Sequence, residues 1–150
     1  MPLTAKVQAL GEAHHDQEEI AMAYGNLGNV YQIRGDLDKA IEHHQKALTI
    51  DESLGSKEGM AADYTNFGIV YQIRGDLDKA LGYHQKALKL YESLGHKVGM
   101  AINYNNLGVV YAQQDHKEQA KLAFQKSIDL FKVLGDPTRV KLVQGWLDAL

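Results

Sequence analysis

The chain repeats itself every 40 residues. The block YQIRGDLDKA stands at 31–40 and again, unchanged, at 71–80, and residues 21–60 match residues 61–100 at 27 of 40 positions. Residues 101–140 keep 12 of 40 against the second copy. Held in all three copies are Ala21, Ala61 and Ala101; Tyr24, Tyr64 and Tyr104; Asn26, Asn66 and Asn106; Gly28, Gly68 and Gly108; Tyr31, Tyr71 and Tyr111; Ala40, Ala80 and Ala120. A period of this length marks an array in which each unit buries its apolar face on its neighbours.

Within one copy, Ala21, Tyr24, Leu27, Gly28 and Tyr31 are spaced three, three, one and three, which winds into one stripe of a helix. Gly35 then offers a stop and Asp36 an N-cap, and Leu37, Ala40, Ile41, His44, Ala47 and Leu48 begin a second stripe. Gly55 and Ser56 repeat the stop and cap. Each unit is therefore expected to be an antiparallel helical hairpin, with helices of roughly 17 to 18 residues. Gly28 and Ala40 leave room for the two backbones to approach at their crossing.

These residues carry a family resemblance. The pattern Tyr-x2-Leu/Phe-Gly-x2-Tyr, then Ala, a ring and Ala, reads as Tyr24, Leu27, Gly28, Tyr31, Ala40, His44, Ala47 and again as Tyr64, Phe67, Gly68, Tyr71, Ala80, His84, Ala87. It resembles the tetratricopeptide (TPR) repeat over roughly residues 17 to 150, in a 40-residue variant like those of Pins-type adaptors, kinesin light chains and bacterial arrays. The third copy reads Tyr104, Leu107, Gly108, Tyr111, Ala120, Phe124, Ser127, with Ser127 in place of the last alanine. Asp115 replaces its turn glycine, so that turn is expected to differ, and Glu52, Glu92 and Lys132 stand where the family usually has proline. The resemblance implies an all-α, right-handed superhelical solenoid of antiparallel hairpins, about three full repeats with partial flanking helices. A single domain is expected, with repeats at 17–56, 57–96 and 97–136. Leu10-Gly11 looks like the Leu54-Gly55 stop, so residues 1–16 are expected to hold the end of a helix followed by a loop through His14, His15 and Asp16. Residues 137–150, opening on Asp136 and Pro137, read as a partial or capping helix.

Composition narrows the function. Sixteen Lys+Arg against nineteen Asp+Glu leave a formal charge of -3, without the basic excess that nucleic acid or an anionic membrane would require. The absence of cysteine removes disulfides, thiolate metal sites and cysteine nucleophiles, and fits a reducing, cytoplasmic setting. No stretch approaches the ~18 apolar residues of a membrane span.

No chemistry stands out. The carboxylates Asp36 with Asp38 and Glu18 with Glu19 sit at expected helix starts, where capping and the helix dipole account for them. His14-His15 and His43-His44 are sequence neighbours that point ~100° apart on a helix and so do not chelate one ion. His44 and His84 share their repeat position with Phe124, which makes them core rings. Arg34-Gly35-Asp36 spells an adhesion tripeptide but reads as a helix stop and cap. No catalytic residue, metal ligand or cofactor is assigned.

What remains is a surface. Beside the packed stripe of each first helix runs an uncharged row: Met22, Asn26, Asn29, Ile33; Ala62, Asn66, Ile69, Ile73; Ile102, Asn106, Val109, Gln113. In TPR arrays first helices line the concave side, so the resemblance makes this row a ligand groove. Asn26, Asn66 and Asn106 would form a ladder whose amides match the C=O and N–H of a peptide backbone. The aliphatic members offer shallow seats, and Arg34 and Arg74 stand at the rim to meet acidic groups. An extended segment of roughly 10 to 16 residues would span three copies. The clamp by which some TPR domains hold acidic chaperone tails needs Lys and Arg here, and Met22, Gly25, Asn29, Asn66, Ile102 and Asn106 are uncharged. The expected role is a non-catalytic module that binds an extended protein segment. The alternatives are a scaffold that self-associates head to tail through its incomplete ends, and a peptide or small-molecule sensor segment of a larger regulator.

Overall fold

The computed structural model describes residues 2–150 and consists of seven helices in sequence: α1 (Leu3–Ile33), α2 (Leu37–Leu54), α3 (Lys57–Arg74), α4 (Leu77–Leu94), α5 (Lys97–Gln113), α6 (Lys117–Val133) and α7 (Pro137–Asp148). Three hairpins, α1/α2, α3/α4 and α5/α6, stack through α2/α3, α4/α5 and α6/α7 into a helical-repeat solenoid. The caps act as the sequence predicts. Asp36, Ser56, Asp76 and Asp136 each accept from the backbone N–H three residues on, at 3.0–3.4 Å. His96 does the same through Nδ1, 2.9 Å from Gly99 N.

Each hairpin closes on a glycine and a ring. A Cβ on Gly28 would lie 2.5 Å from the His44 ring, one on Gly68 would lie 2.6 Å from Nδ1 and Nε2 of His84, and one on Gly108 would lie 2.5 Å from Phe124. His44, His84 and Phe124 are buried, as their shared position predicts. Ser127 is buried too, because its hydroxyl donates to the Ala101 carbonyl at 2.8 Å. On the flank of the second hairpin Tyr83 stacks on Tyr71 at 5.4 Å. The turns are bound to one another across repeats in a fixed register. Arg74 pairs with Asp38, and Gln114 Nε2 donates to Asp78 at 2.9 Å, each reaching back 36 residues.

Two expectations are corrected. Residues 3–16 are not a helix end and loop but the first half of α1, which runs without a break through Gly11, His14 and His15; Met1 lies outside the described residues. The stops at Gly35 (φ 81°) and Gly55 (φ 66°) turn on a left-handed residue directly before a capping side chain, and Gly11 has neither feature. Glu12 and Ala13 follow instead, the helix-spaced contacts His14–Glu18 and His15–Glu19 continue the spiral, and one glycine inside a helix costs only ~1 kcal/mol. The third turn, conversely, does not differ. Asp115 takes φ 60°, the left-handed conformation that glycine holds in the other two hairpins.

The core grows toward the C-terminus. Phe67 and Val70 of α3 are 2% and 0% exposed, covered by the α2 side of the stack, whereas Leu27 and Val30, at the same places in α1, are 44% and 41% exposed, with no helix of the described residues packed on that side. At the other end Ala101, Phe124, Ile128, Phe131 and Val143 form the largest apolar cluster, with Leu147 and Leu150 packed on it.

Candidate functional site

α1 touches α3 and α3 touches α5 directly, with no comparable contact between successive second helices, so the first helices lie on the inner side of the curve. The uncharged row runs along that side. Met22, Asn26, Asn29, Ile33, Ile73 and Gln113 are exposed, and Asn66, Ile69, Ile102, Asn106 and Val109 are half-buried. Asn106 has a buried Nδ2 that meets no acceptor within the protein. Gln113 is engaged, accepting from Gln72 Nε2 at 2.9 Å. The row extends beyond the repeats: Trp146 falls 40 residues after Asn106, at the same place on α7, and is 47% exposed. Trp146 does not seal the end of the core, which Val143 and Leu147 cover.

The arginines of the predicted rim sit elsewhere. Arg34 and Arg74 line a hollow beside the first turn with Asp36 and Asp38, at the far end of the helices, and Arg74 is already paired with Asp38.

A hollow of about 400 Å³ opens where α1, α3 and the end of α2 meet. α1 contributes Glu18, Met22, Asn26 and Asn29, α3 contributes Glu58, Asp63 and Asn66, and α2 contributes Asp51. Among the described residues no basic side chain lines it. Asp51 and Asp63 are 8% and 4% exposed. Burial, then the hydrogen bond to Asp51, then the negative charges of Asp51 and Glu52 push Asp63 up to about 8. Burial raises Asp51 as well, its hydrogen bond with Asp63 works against that rise, and Glu18 adds to it. Burial and the neighbouring carboxyl thus favour the protonated form of the pair over two charges side by side. The second oxygen of Asp63, Oδ2, is buried without a partner. On the rim, Glu58 lies 3.7 Å from His96 Nε2, whose Nδ1 is occupied in capping α5.

This junction differs from the next two. One repeat on, Tyr91 and Asn103 replace Asp51 and Asp63, and Asn103 is fully engaged: Nδ2 donates to the Gly99 carbonyl (2.9 Å) and to Thr65 Oγ1 (3.1 Å), and Oδ1 accepts from His84 Nδ1 (3.3 Å). In the third junction the pair is Phe131 and Val143, both buried. The groove therefore runs from acidic at α1/α3 to apolar at α7.

Residues 19–93 and 60–132 match the family model for the tetratricopeptide repeat. The chain belongs to the tetratricopeptide repeat family. Solved structures share the fold, three of them as follows. The TPR domain of Arabidopsis FLU superposes with a TM-score of 0.73 at 17% identity, covering 78% of this chain and 98% of that one. The N-terminal domain of stress-induced protein-1 (STI-1) from C. elegans gives 0.67 at 24% identity, covering 87% and 96%. BtubC (BKLC) from P. vanneervenii gives 0.67 at 21% identity, covering 86% of this chain, which spans 62% of that protein. No curated protein sequence matches the chain.

TPR arrays are in general protein–protein interaction modules. Among the described residues of this one, no group of three or more His, Asp or Glu side chains is placed to hold a metal ion, and no helix is long and apolar enough to cross a membrane. The TPR signature accounts for the packed rings and glycines and is silent on Asp51 and Asp63. Their signal lies where the repeat is broken, in the series Asp51, Tyr91, Phe131 and Ala23, Asp63, Asn103.

Proposed function

We propose that this TPR domain is a non-catalytic module that binds an extended segment of a partner protein along its first helices. The observation that carries this reading is the uncharged inner row, in which Asn26, Asn66 and Asn106 recur at 40-residue intervals and end on the exposed Trp146. An amide supplies one acceptor and two donors, the groups needed to satisfy a peptide backbone without reading its side chains. Half-buried Ile69, Ile102 and Val109 flank Asn66 and Asn106 along the row and suit small apolar side chains of the ligand. Trp146 gives the C-terminal end of the groove a broad apolar platform. A segment of roughly 10 to 16 residues reaches across the three asparagines.

The test is a selection of random 16-residue peptides on the wild-type domain, with the binders remeasured on an Asn26→Ala, Asn66→Ala, Asn106→Ala variant whose circular dichroism matches wild type. Binders with a common pattern that lose about tenfold or more in affinity, ~1.4 kcal/mol, support the groove. Failure to enrich any pattern, or binders indifferent to the variant, sinks it.

A second reading is favoured by the open α1 edge. Leu27 and Val30 lie exposed where the next repeat buries Phe67 and Val70, and the overhanging start of α1 exposes Val7 and Leu10. A second copy stacking on that edge through its own C-terminal end would bury them in a head-to-tail contact. Light scattering across a concentration series decides it: a mass that stays monomeric at every concentration excludes this assembly.

A further inference from the structure

We propose that a hollow on the flank of the third hairpin is a docking slot for an aromatic side chain of a partner protein, which enters between Tyr104 and Tyr111. The slot lies apart from the inner row: both tyrosines stand ~140–160° round α5 from Asn106, so the proposal does not rest on the peptide groove. The first two hairpins show what this place accommodates. In the first, the His43 ring of α2 lies 4.8 Å from Tyr31 and 6.1 Å from Tyr24. In the second, Tyr83 of α4 stacks on Tyr71 at 5.4 Å, on Tyr64 at 6.1 Å and on Phe67 at 5.1 Å. The third hairpin keeps both tyrosines and brings no ring of its own, since Ala123 stands at the place of His43 and Tyr83, and Leu107 at that of Phe67. A hollow of about 200 Å³ opens there, lined by Tyr104, Leu107 and Tyr111 of α5 and by Leu122, Ala123 and Lys126 of α6.

The two walls are held from the preceding repeat. The Tyr104 hydroxyl donates to Glu92 Oε1 at 3.1 Å, and Gln85 Nε2 donates to the Tyr111 hydroxyl at 3.5 Å, so α4 steadies both rings. The rim differs from its counterparts in two further ways. Lys39 and Lys79 cover Tyr31 and Tyr71 at 5.4 and 5.1 Å, whereas Gln119 stands at that place beside Tyr111 and leaves the ring without a cation. Leu122 is 64% exposed where the other repeats carry Glu42 and Gly82, and it extends the apolar contact outward. Lys126 keeps its seat over Tyr104 at 5.3 Å, as Lys86 lies over both Tyr64 and Tyr83, so an entering ring meets an ammonium at its face as Tyr83 does. Two tyrosine rings and an ammonium favour a π-system over an aliphatic chain of similar bulk. The ring comes from a protein because TPR arrays are protein–protein interaction modules and because the same place is filled by a protein side chain in the two other hairpins.

The first experiment uses the bare side chain. Nα-acetyl-tyrosine-N-methylamide is titrated into the 15N-labelled domain beside its leucine counterpart, with the amides of Leu107 and Ala123 as reporters and those of Phe67 and Tyr83, at the filled place, as internal controls. Saturable shifts at the reporters and not at the controls are expected with tyrosine, and binding weaker by about tenfold with leucine. Ala123→Tyr restores the ring of the second hairpin and is expected to abolish the response. No shift at Leu107 and Ala123, or equal shifts from tyrosine and leucine, overturns the slot on wild-type protein alone, whether or not the variant folds. The partner is then tested with random 16-residue peptides selected on wild type and counter-selected on the Ala123→Tyr variant, shown by circular dichroism to be folded. The enriched peptides are expected to share an aromatic residue and to bind the Asn26→Ala, Asn66→Ala, Asn106→Ala variant undiminished. Enriched peptides without a common aromatic residue, or none at all, overturn the docking role even where the free amide binds. Peptides that need the asparagines and ignore Ala123→Tyr remove the slot and leave the groove.

Discussion

His84 donates from Nδ1 to Oδ1 of Asn103, 3.3 Å away, across the junction between the second and third repeats. His44, its counterpart one repeat earlier, is equally buried and has no partner on either ring nitrogen. The difference comes from a single place in the repeat, since the residue matching Asn103 is Asp63, whose carboxyl turns to Asp51 instead. Phenylalanine fits this position against a glycine, as Phe124 does against Gly108. His44→Phe removes two unsatisfied nitrogens and is expected to stabilise the domain by ~1 kcal/mol, whereas His84→Phe removes one of the two donors to the Asn103 oxygen, leaving Thr65 Oγ1 at 3.2 Å, and is expected to cost ~0.5–1.5 kcal/mol. Urea unfolding of the two variants checks this: shifts of the same sign would contradict the asymmetry.

Glycine substitutions separate crossings from open helix. At Gly68 an added Cβ would lie 2.6 Å from His84 Nδ1, so Gly68→Ala must displace a buried ring and is expected to destabilise by ~1–3 kcal/mol. At Gly11 nothing lies within 4 Å and the backbone is helical, so Gly11→Ala should raise helicity and stabilise α1 by roughly 0.5–1 kcal/mol. Thermal melts read the first effect and far-ultraviolet circular dichroism the second. A Gly11→Ala variant with unchanged helicity would restore the stop at that residue.

The hairpins, their caps and their buried rings were legible in the sequence because each rests on local rules repeated three times. Spacing located the stripes, and Asp36 and Ser56 announced the caps. Leu10-Gly11 misled because a leucine–glycine pair resembles a stop, while the stops at Gly35, Gly55 and Asp115 share a left-handed backbone that Gly11, inside α1, does not adopt. The carboxyl pair was illegible for a different reason. Asp51 and Asp63 lie on separate helices 12 residues apart, and only the stacking of α2 on α3 turns two ordinary surface-type residues into a buried pair. The rim role of Arg74 was overtaken in the same way, by Asp38 on the neighbouring repeat.

The buried groups set a pH optimum for stability. Burial lowers His44 and His84 from 6.5 to about 4, with the charge of His43 adding to the effect on His44 and the Asn103 bond opposing it at His84. Between pH 4 and 6.5 the unfolded chain therefore holds more protons on these two residues, and their contribution rises with pH. Asp63 moves oppositely: raised from 3.8 to about 8, it holds its proton in the folded state and loses stability as pH climbs through that window. Asp51, also raised, flattens the acidic limb. Above pH 6.5 the histidines are neutral in both states and the Asp63 slope stands alone. The melting temperature is expected to peak near pH 6.5 and to fall toward pH 8 by up to ~1.4 kcal/mol of stability per pH unit. A flat profile between pH 6.5 and 8 would show that Asp63 titrates as an ordinary carboxyl.

Asp63→Asn isolates that slope. An amide cannot ionise, so the variant keeps a polar group beside Asp51 and loses the cost of developing a second charge there. Asn103 demonstrates that an asparagine is accommodated at this place, donating to the carbonyl of Gly99, the residue that corresponds to Gly59. With its like-charged neighbour gone, Asp51 should titrate nearer the ordinary carboxylate range. The variant is expected to match wild type near pH 5, to exceed it by ~1 kcal/mol or more at pH 8, and to lose the decline above pH 6.5. Chemical denaturation at the two pH values measures the difference. Equal gains at both would mean that the substitution acts through packing, and a loss at pH 8 would mean that the Asp63 carboxylate is held by the fold rather than resisted by it.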